Sequence, residues 1–528
     1  MASAKSASRS RRDSKGSQHS QSSTNLSGTN STVKYADECF HHEPFETFQH
    51  KVIRLCRDIG FGNPDEVIRM KGGSYNRVVG LKFLSRLPTD YVLRIPRTGI
   101  AGDKSQDIKD QVALLHFLSQ CEGVPVASIA AFDSTRENAI ACSYVLQERV
   151  AGTDIDSAYY NLPMAEKLQV VTKVADLILK MEAVSLERPG RLVAQKTLAA
   201  RSFVPLAKGP HFEITNYRNF DDAEPFLSQP LPLLLRSMFE HQKNRLFGSR
   251  DEYTQYKWIK LQQITDQMVD AGLFRFTDSN CMLWHWDFAG RNVMINQTTV
   301  QQDEVQSPTQ SCQHKFQVEL DSSTCNAAHH SVSVTLVEDD CNHNIQFSID
   351  GNTGKTHQSK SEWEVTGVLD WDDVISVPRI LARKPPVWLW FNEDNRNAAW
   401  SGDNDIPPLD LTHDQLLIKA YFDRIMARAD PTYIDDAYNR GVWIRRLARF
   451  AFHGIVSDDD RERYDVFVKE WKEFYANIRP GLITDDDDDG HDPESHAREE
   501  AGVEERVENK DETRKQELES EGVKDDAA

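Results

Sequence analysis

Leu283-Trp284-His285-Trp286-Asp287-Phe288-Ala289-Gly290-Arg291-Asn292 decides how this chain is read. It has the form H-x-D-x-x-x-x-N and runs straight into an apolar strand, Val293-Met294-Ile295. Far downstream a second apolar run, Gly367-Val368-Leu369, delivers Asp370-Trp371-Asp372. Phosphoryl transfer needs such a set. One carboxylate orients the attacking group, while an amide oxygen and a second carboxylate hold the magnesium ions that neutralise charge on the moving phosphate. An HxD alone is common, and a buried His beside a helix-capping Asp would read the same way. The Asn five residues on and the second strand ending in Asp set this one apart.

Upstream, Lys71-Gly72-Gly73-Ser74-Tyr75-Asn76 lies between two β-prone runs, Val67–Met70 and Val78–Leu81. A third strand, Tyr91–Ile95, carries Arg94 and stops before Pro96. Val112, Leu115 and Leu118 mark an amphipathic helix, and two further strands follow near Ser128–Ala130 and Ser143–Leu146. Strand-strand-strand-helix-strand-strand is the order of a kinase small lobe. The pattern then turns helical, with a core-facing stripe at Leu168, Val171, Val174, Ala175 and Ile178. A helical stretch is expected over Tyr253–Met268, and another helical region, rich in aromatic residues, over 410–477.

Together, the HWD loop, the GVLDWDD run and KGGSYNRVVGLKF…DYVLRIPR resemble the aminoglycoside phosphotransferase-like branch of the kinase fold, most closely its fungal group. The resemblance covers residues 65 to 480 or thereabouts. It implies an α+β, two-lobed protein-kinase-like fold: a small antiparallel-sheet lobe, a mainly helical large lobe, and ATP with Mg2+ in the cleft between them. The implied layout is a Ser-rich disordered start (1–36), a small lobe (37–148), a large lobe (149–484) with a β-ribbon insertion (297–363), and an acidic disordered tail (485–528). In the insertion Phe316, Val318 and Leu320, then Val332, Val334 and Leu336, then Ile345, Phe347 and Ile349 alternate strictly, the signature of antiparallel strands.

On this reading Asp287 is the base that positions the acceptor, and His285 braces its loop rather than reacting. Asn292 and Asp370 are the metal ligands. Asp372 either joins them or caps the next segment. Gly72, Gly73, Ser74 and Asn76 form the turn over the phosphates, where freed backbone amides approach oxygen; two glycines at a hairpin are also an ordinary turn. Arg94 stands where kinases keep Lys, and a rigid fork is not a point charge. Gln111 stands where the family has the Glu that pairs with that cation, so at most a neutral hydrogen bond remains. Asp110 lies about 100° away around the helix and substitutes poorly. If Arg94 has other partners, Gln111→Glu is expected to change little. Ala289 also departs from the family. These departures keep open a second reading, a pseudokinase that serves as a nucleotide- or protein-binding module.

Trp371 replaces the usual Phe, and neither a following Gly nor an Ala-Pro-Glu appears, which favours a small-molecule acceptor over a protein. Trp388, Trp390 and Trp400, with Glu393, Asp394 and Asp403, are either core or walls for a cationic acceptor. The net charge of -20 is uneven: 19 acidic against 6 basic side chains in 485–528, and +5 on 1–36. An acidic fold disfavours nucleic acid. No apolar run is long enough to span a membrane. Eight scattered cysteines fit free thiols in a reducing, cytoplasmic setting, with Arg9, Arg11 and Arg12 the hint of a mitochondrial alternative. Cys312, His314, Cys325, His329, His330, Cys341 and His343 are read as free thiols and solvated histidines, zinc being the lesser option. The identity of the acceptor, the oligomeric state and protein partners are not legible.

Overall fold

A computed structural model describes residues 42–73, 75–97, 105–204, 206–217, 230–245, 252–275, 280–300, 316–320, 332–336, 360–372, 374–390 and 411–479. The two termini, Ser74, Trp400 with its acidic neighbours, the third alternating set and the Cys/His residues of the insertion lie outside them. The chain divides into two compact units: Met1–Gln229 with Asp278–Val442, and Pro230–Thr277 with Trp443–Ala528.

The first unit opens on helix α1 (Phe45–Asp58), which the sequence reading had not drawn as a helix. Its buried residues Phe48, Val52, Leu55 and Cys56 recur at helical spacing, and the chain leaves through Gly60 at φ +79°. Strands β1 (Glu66–Arg69), β2 (Asn76–Lys82) and β3 (Asp90–Pro96) follow, then helix α2 (Ser105–Leu118), β4 (Ile129–Asp133) and β5 (Tyr144–Glu148). They form an antiparallel sheet in the order β1-β2-β3-β5-β4, edged by Arg201–Ser202. The succession along the chain, three strands, a helix and two strands, is the one expected from the sequence.

Alternation along β3 decides what each face does. Tyr91, Leu93 and Ile95 point into a core with α1, Val79 and Leu81. Arg94, between them, faces the other way. Helix α2 covers part of that other face, burying Ile108, Val112 and Ala113 against Phe132, Val145, Ala194 and Leu198.

Further along, helix Met164–Glu182 carries the expected stripe: Val171, Val174 and Ala175 are fully buried, Leu168 and Ile178 are half-buried, and Val170 and Leu177 join them. A five-stranded antiparallel sheet runs Phe212–Thr215, Gly190–Ala194, Ile375–Pro378, Cys281–Trp284, Ser185–Leu186. Its first two strands come from the interval between the large-lobe helix and the HWD loop, where no strand was expected. Val293–Val300 pairs with Lys360–Val368 and with Thr153–Asp154. The pairing continues into the expected insertion of 297–363. At its boundary the Trp363 indole packs on the core and donates 2.7 Å to Glu166. Within the insertion, Phe316–Leu320 pairs antiparallel with Val332–Leu336, in register at Val318 and Val334. Trp388 and Trp390 are buried in the main core with Phe422 and Tyr433.

In the second unit, helices Leu231–Arg245, Glu252–Asp270 and Asp458–Ile478 bury Leu234, Phe239, Trp258, Leu261, Phe467 and Trp471. Trp471 donates 2.7 Å to Gln267, and Ser457 starts the last helix with a capping box. Among the described residues no helix is long and apolar enough to cross a membrane.

Candidate active site

Strand Cys281–Trp284 ends where the HWD loop begins. His285 is 4% exposed, and its Nε2 lies 3.0 Å from the Leu369 carbonyl. Burial pushes its pKa down, so a neutral ring donating from Nε2 fits the site. Trp371 packs edge-on against the ring at 5.0 Å. The loop then turns through Gly290, where any side chain would collide with the Asp156 carboxylate.

Asn292 closes the loop. Its Nδ2 donates 2.9 Å to the Asp287 carbonyl and 2.9 Å to Asp287 Oδ2. Its backbone carbonyl accepts from Leu369 N at 2.7 Å, and the next residue, Val293, pairs with Val368. Leu369 therefore grips both His285 and Asn292, and the strand pair sets Asp370 beside the HWD loop. Arg291 forms a close ion pair with Asp287 Oδ1. The sequence reading missed Arg291, although a cation four residues past the Asp was a signal in plain view.

Asp370 adopts φ +61°, the left-handed region that side chains rarely occupy. Trp371, 2% exposed, folds back to donate 2.9 Å to the Val368 carbonyl. Asp370 and Asp372 do face the same partner, but through this turn and not through the extended alternation expected. Arg94 Nη2 lies 3.3 Å from Asp370 Oδ1 and 3.1 Å from Asp372 Oδ2. Partial burial, then the neighbouring Asp372, push the Asp370 pKa up, against the pull of Arg94.

Gln111 does not bond to Arg94. Its amide donates to Asp372 Oδ1, and Asn76 Nδ2 approaches Asp372 Oδ2 at 3.5 Å. Asp110 turns away, as expected, to Arg191 at 2.5 Å and to Ala194 N at 2.8 Å. Gly72, at φ +63°, has no room for a Cβ, which would sit 2.8 Å from the Asn76 carbonyl. Gly73 offers its carbonyl to Arg97 Nε at 2.9 Å and has open space where a side chain would be. So Asn76, Arg94, Gln111, Asp370 and Asp372 form one bonded cluster, and His285, Asp287 and Asn292 a second, joined to it through Leu369.

A cavity of about 210 Å³ flanks Asp287, walled by Trp284, Trp286, Phe288, Trp388 and Met181, with Lys384 at its edge. Trp284 and Trp286 stack at 3.9 Å between centroids.

The model of the phosphotransferase enzyme family (APH) matches residues 66–305. Over that segment the chain resembles that family. Two subtelomeric hrmA-associated cluster proteins from two strains of Aspergillus fumigatus are each 26% identical over 143 residues. That is 27% of this chain and 28% of each relative's length. Solved structures with a similar fold include aminoglycoside phosphotransferase APH(4)-Ia, at 13% identity, covering 80% of this chain and 98% of that one with a TM-score of 0.38. A putative aminoglycoside phosphotransferase from Ralstonia eutropha has 14% identity, covers 81% and 98%, and gives 0.37.

Proposed function

We propose that this protein is a phosphotransferase that transfers the γ-phosphoryl group of ATP, with magnesium, to a hydroxyl or amine of a small molecule. One observation carries the reading: the backbone of Leu369 bonds to both His285 and Asn292, fastening the loop of Asp287 to the strand end that presents Asp370. Three chemically suitable groups are thereby held in one frame.

Asp287 receives the acceptor's proton as the acceptor atom bonds to the γ-phosphorus and the bond to the leaving ADP oxygen breaks. Its work is mostly positioning. Asn292 keeps Nδ2 on Asp287, so its Oδ1 is turned elsewhere, and it accepts no hydrogen bond from a described residue. That oxygen and the half-exposed Asp370 carboxylate are hard donors suited to magnesium, which asks for one or two carboxylates and completes its shell from phosphate and water. Magnesium, when bound with ATP, supplies charge neutralisation on the transferred group.

The aromatic cavity beside Asp287 is the acceptor's place. The nearby Glu182 carboxylate is held by Arg383, and Lys384 lies at the rim, so stacking faces more than anionic groups set recognition. A reducing, cytoplasmic setting suits the free thiols at Cys56, Cys121, Cys142 and Cys281. Burial pushes the Cys56 thiol up to about 12.

The second reading, a nucleotide-binding module without turnover, is favoured by Gln111 and by the Arg291 ion pair on Asp287. A panel of amines, sugars and alcohols with labelled ATP separates the two. For an enzyme, Asp287→Ala lowers turnover by about 10²- to 10⁴-fold while ATP affinity holds. ATP also raises the melting temperature more with magnesium than without, and Asp370→Asn removes that difference. ATP binding with no transfer to any acceptor or to water sinks the enzyme.

A further inference from the structure

Three polar side chains of the first sheet and its helix converge on a single carboxylate. Gln111 donates to one oxygen of Asp372, while Arg94 Nη2, at 3.1 Å, and Asn76 Nδ2, at 3.5 Å, address the other. In kinases the strand cation is held by a carboxylate on the helix. Here the helix offers an amide, and the carboxylate comes from Asp372, 261 residues further along the chain.

We propose that Asp372 is the positioning residue that aims Arg94 at the nucleotide phosphates, the anchoring charge having moved from position 111 to position 372. The proposal rests on the phosphotransferase reading. Arg94 meets both carboxylates through Nη2 alone; Nε and Nη1 bond to no described residue and remain for phosphate. The fork is thus pinned by one arm and open on the others. Gln111 is 9% exposed and its donor amide is the group that tolerates a carboxylate at hydrogen-bond distance. A glutamate in its place would set two carboxylates against each other there. The expectation that Gln111→Glu is silent is therefore reversed by the geometry. Asp372 takes three donors where Asp370 takes one, which leaves Asp370 for the metal.

The test is a reciprocal swap in the full chain: wild type, Gln111→Glu, Asp372→Asn, and both together. Affinity for a non-hydrolysable ATP analogue with magnesium and the nucleotide-free melting temperature are measured on each. Each single change weakens analogue binding by about tenfold, the worth of one charge-assisted hydrogen bond. Gln111→Glu alone also lowers the melting temperature by about 2–4 °C. The double variant, in which carboxylate and amide have traded places beside Arg94, recovers both. Additive losses in the double variant, or unchanged affinity in Asp372→Asn, overturn the proposal while the wild type still binds. No analogue binding by the wild type overturns the phosphotransferase reading, and the positioning role with it.

Discussion

Two arginines of this protein each gather several carboxylates, and they do opposite things with them. Arg383 is 1% exposed and uses its whole fork. Nε and Nη2 clasp Glu182 at 3.1 and 2.8 Å, Nη2 also reaches Asp430 at 2.6 Å, and Nη1 bonds to Asp436 at 2.9 Å and Thr432 at 3.0 Å. Burial lowers its pKa, and the Glu182 and Asp430 carboxylates more than reverse that. Arg94 commits one nitrogen to two half-exposed carboxylates. Saturation makes the first cluster a rivet between Glu182 and the Asp430–Asp436 segment. Incompleteness makes the second one responsive to whatever brings new oxygens.

Breaking the rivet gives the largest expected effect. Arg383→Met leaves three carboxylates without their cation and costs about 3–5 kcal/mol in denaturant unfolding. Arg94→Met costs less than about 1 kcal/mol, because its partners are solvated. Equal losses in the two variants would erase the distinction between them.

Acid sharpens the contrast. Burial tends to raise the Asp430 pKa, but hydrogen bonds from Arg383 and Thr432 outweigh it and hold the group at about 2, against an ordinary 3.8. A carboxyl depressed in the folded state stabilises above its unfolded pKa and loses that contribution as pH falls through the folded value. Unfolding measured across pH should show the Arg383→Met penalty constant down to about pH 4 and shrinking toward about pH 2. A penalty undiminished at pH 2 would assign the rivet's strength to packing instead of charge.

The smallest effect is expected at Asp370, whose pKa moves the other way. A carboxyl raised in the folded state costs stability once ionised and regains it as pH falls. Asp370→Asn should raise the nucleotide-free melting temperature by about 1–3 °C near neutrality, fading on acidification. Asn also accepts the left-handed backbone there. A lower melting temperature at neutral pH would show that the Arg94 contact outweighs the burial cost.

What could be seen in the sequence followed periodicity and motif spacing. The β1–β5 and α2 order, the Met164–Glu182 stripe and the HWD loop are local patterns, and each is present. Of the strands not drawn, Gly190–Ala194 lacks a clean two-residue alternation of apolar and polar side chains, and Phe212–Thr215 alternates but over four residues only. Helix α1 was passed over because its apolar positions are interrupted by charged residues, though its amphipathic spacing was there to find. Within the site, Asp287, Asn292 and Asp370 were legible from spacing. The bond between Gln111 and Asp372 joins residues 261 apart, and the left-handed turn at Asp370 carries no glycine to announce it. Tertiary wiring of that kind leaves no period to read.

The hairpin beneath the site has a further consequence. Asn292 and Asp370 are neighbours because Val293 sits opposite Val368, and that rung is indifferent to how much chain runs between them. Closing a longer loop adds only a logarithmic entropy penalty, which falls on the far end of the ladder and not on the rung. The Val293–Val368 step thus works as a firebreak: evolution can write, lengthen or erase what lies past Val300 and Lys360 while Asn292 and Asp370 keep their places.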